Sequence, residues 1–191
     1  MNYLVHLYLS DPSPMIRLGN LMGDFVKGRL EDLPYPPDII RGLQQHRQVD
    51  TYSLHSSVVK ISKERIDPRF SYFRGILIDV FYDHFLASNW QQHADGKLED
   101  FAAETYNLLE EYNDILPAGL KGIAPRMIQY NWLVSYREVE VMERALVRIG
   151  QRLSRKNPLA EGYGELLKNY DELEQDSANF LATAKKHLAN V

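Results

Sequence analysis

One segment limits the possible folds of this chain more than any other. From Phe70 to about Trp90, residues Phe73, Ile76, Leu77, Val80, Phe81, His84 and Phe85 recur at three- and four-residue intervals, the period of an α-helix. The intervening positions are also mostly apolar, which predicts a helix crossing the core and covered by other helices. Into this setting the sequence puts Asp79 and Asp83, one turn apart, with His84 directly after them. Like charges one turn apart repel, and an unpaired carboxylate is costly to bury. A cation between the two aspartates resolves both problems.

The rest of the chain divides at prolines into further helical lengths. Ser13-Pro14 is a helix start, with serine able to cap free amides and proline preset for the first turn. Leu18, Leu21, Met22 and Phe25 then mark a buried face that ends near Gly28. Pro36-Pro37-Asp38 opens a second helix through His46 and Asp50 to about Leu54, continuing to about Arg65 before Asp67-Pro68 breaks it. Helices are predicted over 98–115, 118–136, 138–155 and 159–188. The run Tyr3 to Leu9 fits a strand or a buried helix; without a partner strand, we read it as helix. No repeat or Gly/Ser linker interrupts the 191 residues. The expectation is an all-α, single-domain compact helical bundle spanning 1–191.

Composition narrows the chemistry. With no cysteine, disulfides, thiolate nucleophiles and Cys-ligated metals are excluded, so any metal must use His, Asp or Glu. The opening residues lack the basic start and cleavage site of a signal peptide, and no apolar stretch is long enough to span a bilayer; a cytoplasmic protein is expected. A net charge of -4 argues against a nucleic-acid binder. Two basic runs stand out. Lys60, Lys63, Arg65, Arg69 and Arg74 face only Glu64 and Asp67 between Val59 and Arg74. Arg144, Arg148, Arg152, Arg155 and Lys156 recur at helical spacing, either as a solvated face or as a surface for an acidic partner.

Three further segments bring polar groups onto apolar helical patterns. His6 lies within Tyr3 to Leu9, Asn20 and Asp24 are four residues apart, and His46 and Asp50 repeat that spacing. Groups four apart share a helix face and can converge on one ion. Carboxylates with imidazoles suit manganese, magnesium, iron or zinc, and a high carboxylate share favours manganese or magnesium. Each residue also has a plainer reading: His6 as a hydrogen-bonded core histidine, Asp24 paired with an arginine, Asp50 bridged to Arg47 or facing water. The Glu-x-x-His pairs of di-iron bundles, the zincin signature, the phosphate-binding loop and the nucleophile elbow are absent. Nothing supports a triad on Ser10, Ser53 or Ser56.

Taken together, Gly19-Asn20-Leu21-Met22-Gly23-Asp24-Phe25-Val26-Lys27-Gly28, His46-Arg47-Gln48-Val49-Asp50 and Ile78-Asp79-Val80-Phe81-Tyr82-Asp83-His84-Phe85-Leu86 with Trp90 resemble the acyl carrier protein phosphodiesterase family. Met1-Asn2-Tyr3-Leu4-Val5-His6-Leu7 and Trp132-Leu133-Val134-Ser135-Tyr136-Arg137 extend the resemblance over most of the chain. It implies a non-standard relative of the HD phosphohydrolases, manganese-dependent, that releases 4'-phosphopantetheine from holo acyl carrier protein. It further implies Asp24, His46, Asp79 and Asp83 as metal-site residues, with His6 and His84 close by. No His-Asp dipeptide occurs; the order is Asp83-His84. On this reading His84 or His46 protonates the leaving oxygen, Arg47 or Arg74 neutralises phosphoryl charge, and Asp24 belongs to both the catalytic and metal sets. The cations from Lys60 to Arg74 would dock the acidic carrier. Two other readings keep their place: a metal-dependent phosphohydrolase of a nucleotide or other small phosphodiester, and a non-catalytic helical adaptor.

Overall fold

The computed structural model describes residues 1–189; positions 190 and 191 of the expected 1–191 span lie outside the described residues. Those described form no strand, and the all-α expectation is met. In chain order the helices are α1 (Tyr3–Tyr8), α2 (Pro14–Met22), α3 (Pro37–His55), α4 (Ser57–Arg65), α5 (Arg74–Ser88), α6 (Trp90–His93), α7 (Leu98–Glu111), α8 (Ala118–Gln129), α9 (Trp132–Ser135), α10 (Val139–Arg152), α11 (Tyr163–Lys168) and α12 (Tyr170–Leu188). Short 3-10 turns join several of them.

Helix α5 is the axis of the packing. Its buried residues include every one from Val80 to Ala87, and helices α1, α4, α10 and α12 all pack against it. One buried polar network ties it to α4 and α12. The Tyr82 hydroxyl lies 2.8 Å from Ser62 Oγ, which donates to Asp176 Oδ2 at 2.8 Å, and Arg65 Nε donates to the same oxygen at 2.8 Å.

Helix α3 meets α2 at backbone contact. A Cβ on Gly19 would overlap the Ile39 carbonyl, and one on Gly42 would overlap the Ile16 carbonyl. The two glycines therefore let the helix axes come close, which aligns the groups on α2 with the polar face of α3.

Several predicted helices are shorter than their patterns suggest. The 13–28 helix ends at Met22, and Asp24 sits in the 3-10 turn Gly23–Phe25, so it does not share a helix face with Asn20. The 70–90 helix begins at Arg74, after a 3-10 stretch from Pro68 in which Ser71 has φ 47°. Asn131, at φ 44°, ends the 118–136 span after Gln129. The 159–188 span breaks at Gly162, where a Cβ would overlap Leu77 of α5.

Candidate metal centre

The close contact of α2 and α3 fixes His46. Its Nδ1 lies 2.9 Å from the Asn20 carbonyl oxygen; a carbonyl only accepts, so Nδ1 carries the proton. Gly23 lies flush against the imidazole, and a Cβ there would overlap the ring. The other nitrogen, Nε2, thus points at Asp24 Oδ1, 3.5 Å away, and at Asp50 Oδ2, 3.3 Å away. A neutral imidazole would present a lone pair to two carboxylates. Either a second proton or a cation must lie between them.

Helix α1 supplies the second imidazole, and Asp83 sets its position. The buried Asp83 carboxylate accepts from the backbone N–H groups of Leu4 (3.0 Å) and Val5 (2.9 Å) and from Asn2 Nδ2 (2.8 Å). It closes the open amides of the first turn of α1 as a capping residue does, though it comes from α5. One turn on, His6 stacks against His46 with ring centroids 3.8 Å apart and planes 10° apart. His6 is buried, and neither of its nitrogens has a hydrogen-bond partner. Its Nε2 lies 3.2 Å from Asp50 Oδ1, without the alignment of a hydrogen bond.

Asp50 is the hub. Besides both histidines, its Oδ1 accepts from the Met1 ammonium at 3.1 Å, and that ammonium lies 3.7 Å from Asp79 Oδ1. The charges respond to one another. Burial opposes a charge on His46, but Asp24 and Asp50 outweigh it and raise the imidazole to about 9. Burial lowers His6 to about 4, so the stacked pair carries at most one charge at neutral pH. The Asp50 carboxyl is held far below its ordinary value despite burial, chiefly by His46 and His6. At Asp79, burial raises the carboxyl against the Met1 ammonium and Lys63.

A divalent ion fits these residues. His6, His46 and Asp50 each offer an atom, all within 4.8 Å of one another. The donor set of two imidazoles and a carboxylate, with Asp24 beside it, suits a borderline or hard divalent metal. His46 has the backbone-anchored second nitrogen typical of a metal ligand. The decisive feature is His6: buried polar atoms are nearly always partnered, and a cation near Asp50 would give it one.

Comparison with known proteins matches residues 1–184 to the family model described as acyl carrier protein phosphodiesterase. The chain belongs to the acyl carrier protein phosphodiesterase family. Curated relatives named acyl carrier protein phosphodiesterase, from Escherichia coli O139:H28 (strain E24377A / ETEC) and Escherichia coli (strain K12 / DH10B), are each 31% identical over 182 residues, covering 91% of this chain and 90% of theirs. No solved structure matches. Among the described residues, no helix is long and apolar enough to cross a membrane.

Of the residues singled out in the sequence of this family member, His6, Asp24 and His46 come together, with Asp79 adjoining through Met1. Asp83 does not join them, because its oxygens are engaged by α1. Nor does His84: its Nδ1 donates to the Tyr136 carbonyl oxygen at 2.9 Å, and its Nε2 accepts from the Tyr170 hydroxyl at 2.8 Å. Arg47 is turned to the Gly28 carbonyl oxygen at 2.8 Å. In the first basic run, Arg65 and Arg69 hold Asp176 and Glu161 at 2.8 Å, Arg74 donates to the Ser71 and Lys63 carbonyls, and Lys60 stands 4.0 Å from Glu64. Lys63 is the exception. It has no ion-pair partner among the described residues, and its Nζ lies near Gly75, one turn before Asp79 on the same face of α5. Asp50 is absent from the site residues that the resemblance implies, although its i, i+4 spacing to His46 marks the shared face.

Proposed function

We propose that this chain hydrolyses the phosphodiester joining 4'-phosphopantetheine to the serine of holo acyl carrier protein, giving apo carrier and 4'-phosphopantetheine. One observation carries the reading: a buried, unpartnered His6 stacked on an anchored His46 beside Asp50, in a chain of this family. His6, His46 and Asp50 would hold a divalent ion, with manganese favoured over magnesium or iron and Asp24 and Asp79 nearby to complete its surroundings. Bound there, such an ion polarises a phosphoryl oxygen and acidifies a water.

The chain's own residues supply the remainder. Asp24, half-exposed on its 3-10 turn and 3.5 Å from His46 Nε2, can accept a proton from the attacking water and return it to the serine oxygen as the P–O bond breaks. Asp79 adjoins the cluster on the Met1 side of Asp50. Lys63, rather than Arg47 or Arg74, is the cation free to neutralise charge on the phosphoryl oxygens. His84, with both nitrogens engaged, has no part in proton transfer. Asp83 acts by holding α1, and so His6, in place. The absence of cysteine suits a cytoplasmic setting for this reaction.

The test is incubation of the purified protein and manganese with holo acyl carrier protein, followed by intact mass. Loss of the prosthetic group with release of 4'-phosphopantetheine is expected, and Asp50→Asn should abolish it. A carrier left unchanged, or an Asp50→Asn variant with full activity, would overturn the reading.

A further inference from the structure

The structure treats the two basic runs differently. In the first, the arginines are tied to carboxylates or carbonyls within the molecule. In the second, Arg144, Arg148, Arg152, Arg155 and Lys156 have no ion-pair partner among the described residues. No acidic residue lies between Arg144 and Lys156. In a chain of net charge -4, this concentrates positive potential from Arg144 onward, with Glu140 and Glu143 just before it on α10.

The run is also connected to the metal centre. Arg148 lies over the Trp132 ring, 5.4 Å from its centroid. Arg152 lines the same small cleft as Asn2 and Tyr3, the two residues that lead into α1. Tyr3 stacks in parallel with Phe25, ring centroids 6.5 Å apart, and Phe25 is the residue after Asp24. Burial raises the Tyr3 hydroxyl to about 12, with Asp24 adding to the rise and Arg152 opposing it, so both charges act on that one group. Arg152, at the end of α10, therefore stands nearest the site on the Asp24 side, with Arg148 and Arg144 behind it along the helix and Arg155 and Lys156 beyond it.

We propose that the α10 face bearing Arg144, Arg148 and Arg152, continued by Arg155 and Lys156, is the docking surface for the acidic protein that carries the phosphodiester. This rests on the proposed function, because the occupant is that substrate. The chemistry that recognises it is charge complementarity: unpaired guanidinium groups offer forked donors to surface carboxylates, steer the partner in, and fix its orientation. With Arg152 at the rim, a carrier held on this face would have its modified serine directed at the cluster.

The test compares two charge-reversed proteins with the wild type, all loaded with manganese. One is Arg144→Glu with Arg155→Glu and Lys156→Glu; the other is Lys60→Glu with Arg69→Glu. For the α10 triple variant, KM for the holo carrier should rise about tenfold or more, with a flatter salt dependence, while kcat and turnover of bis(4-nitrophenyl) phosphate stay at wild-type values. The Lys60/Arg69 variant should leave that KM within about twofold. An α10 variant with wild-type KM and salt dependence would overturn the surface alone, as would an equal rise in the Lys60/Arg69 variant. Wild-type protein that cleaves the small diester and not the carrier would overturn the functional reading and this surface with it. Circular dichroism melts confirm that each variant is folded, and a triple variant that fails to fold is replaced by Arg144→Gln with Arg155→Gln, judged by the same criteria.

Discussion

Two pairs of buried polar residues look alike in the sequence and differ in the structure. Asp83 and His84 sit in the buried helix α5; His6 and His46 sit on α1 and α3. Around Asp83 and His84 every polar atom is accounted for: three donors meet the carboxylate, and a carbonyl and a hydroxyl meet the imidazole. Around His6, Nδ1 has no partner and Nε2 has only the Asp50 carboxylate, 3.2 Å away and out of hydrogen-bond alignment. A buried group with its partners present is holding the fold together, whereas a buried imidazole short of partners and stacked on His46 beside the Asp50 carboxylate is placed for a cation. The first pair thus positions the second, since Asp83 anchors the helix that carries His6.

Substitutions sharpen this contrast. The largest effect is expected at Asp50, where Asp50→Asn removes the hub carboxylate. Activity should fall about 10³-fold or more, and the metal-free protein should melt somewhat lower, because the carboxylate held far below its ordinary value by His46, His6 and the Met1 ammonium no longer offsets their charge. Asp83→Ala should act mainly on the fold and not on the ion. Three donors lose their acceptor, at about 1–3 kcal/mol for each left buried, so the protein should melt well below wild type. At temperatures where it remains folded it should still bind manganese, checked by calorimetry.

Smaller effects probe how His46 is held. Gly23→Ala would push a methyl into its ring, and metal affinity should drop about 10- to 100-fold, as when outer-shell support is lost. The pH dependence follows from the raised imidazole. In metal-free protein His46 keeps its second proton up to about 9, and an entering ion must displace it. Metal affinity should therefore climb about tenfold per pH unit from the ordinary histidine value toward 9 and then level off. The stability that this charge gives the metal-free fold runs the other way: it is complete below the ordinary histidine value and is lost as pH rises through about 9. His6, lowered to about 4, offers no proton competition in that range. The smallest effect belongs to Tyr170→Phe, which leaves His84 Nε2 without its donor. It should cost about 1 kcal/mol of stability with kcat unchanged; a fall in kcat would return His84 to the chemistry.

The fold was largely legible because apolar spacing and proline placement act locally. Pro14 and Pro37 start α2 and α3 where the sequence puts those starts, and the pattern around Leu77 and Phe81 is buried in α5 as expected. The breaks at Asn131 and Gly162 were not legible, since a left-handed residue and a close approach by Leu77 depend on distant packing. The site divides along the same line. The spacing of His46 and Asp50 marks a shared face, but which side of α5 carries Asp79 and which carries His84 depends on the surrounding helices. In the sequence, Asp79 and Asp83 form the strongest metal-site element, because two acids one turn apart on an apolar helix suggest a cation, yet Asp83 is used otherwise. Its charge is met instead by backbone amides 78 and 79 residues earlier in the chain, a pairing that local spacing does not reveal.

Manganese binding followed by electron paramagnetic resonance in His6→Ala and His84→Ala proteins addresses the metal centre most directly. The free-ion signal should be lost stoichiometrically on adding wild-type or His84→Ala protein and persist with folded His6→Ala protein. Undiminished binding by His6→Ala, or loss of binding confined to His84→Ala, would contradict the assignment of the orphaned imidazole as a metal ligand.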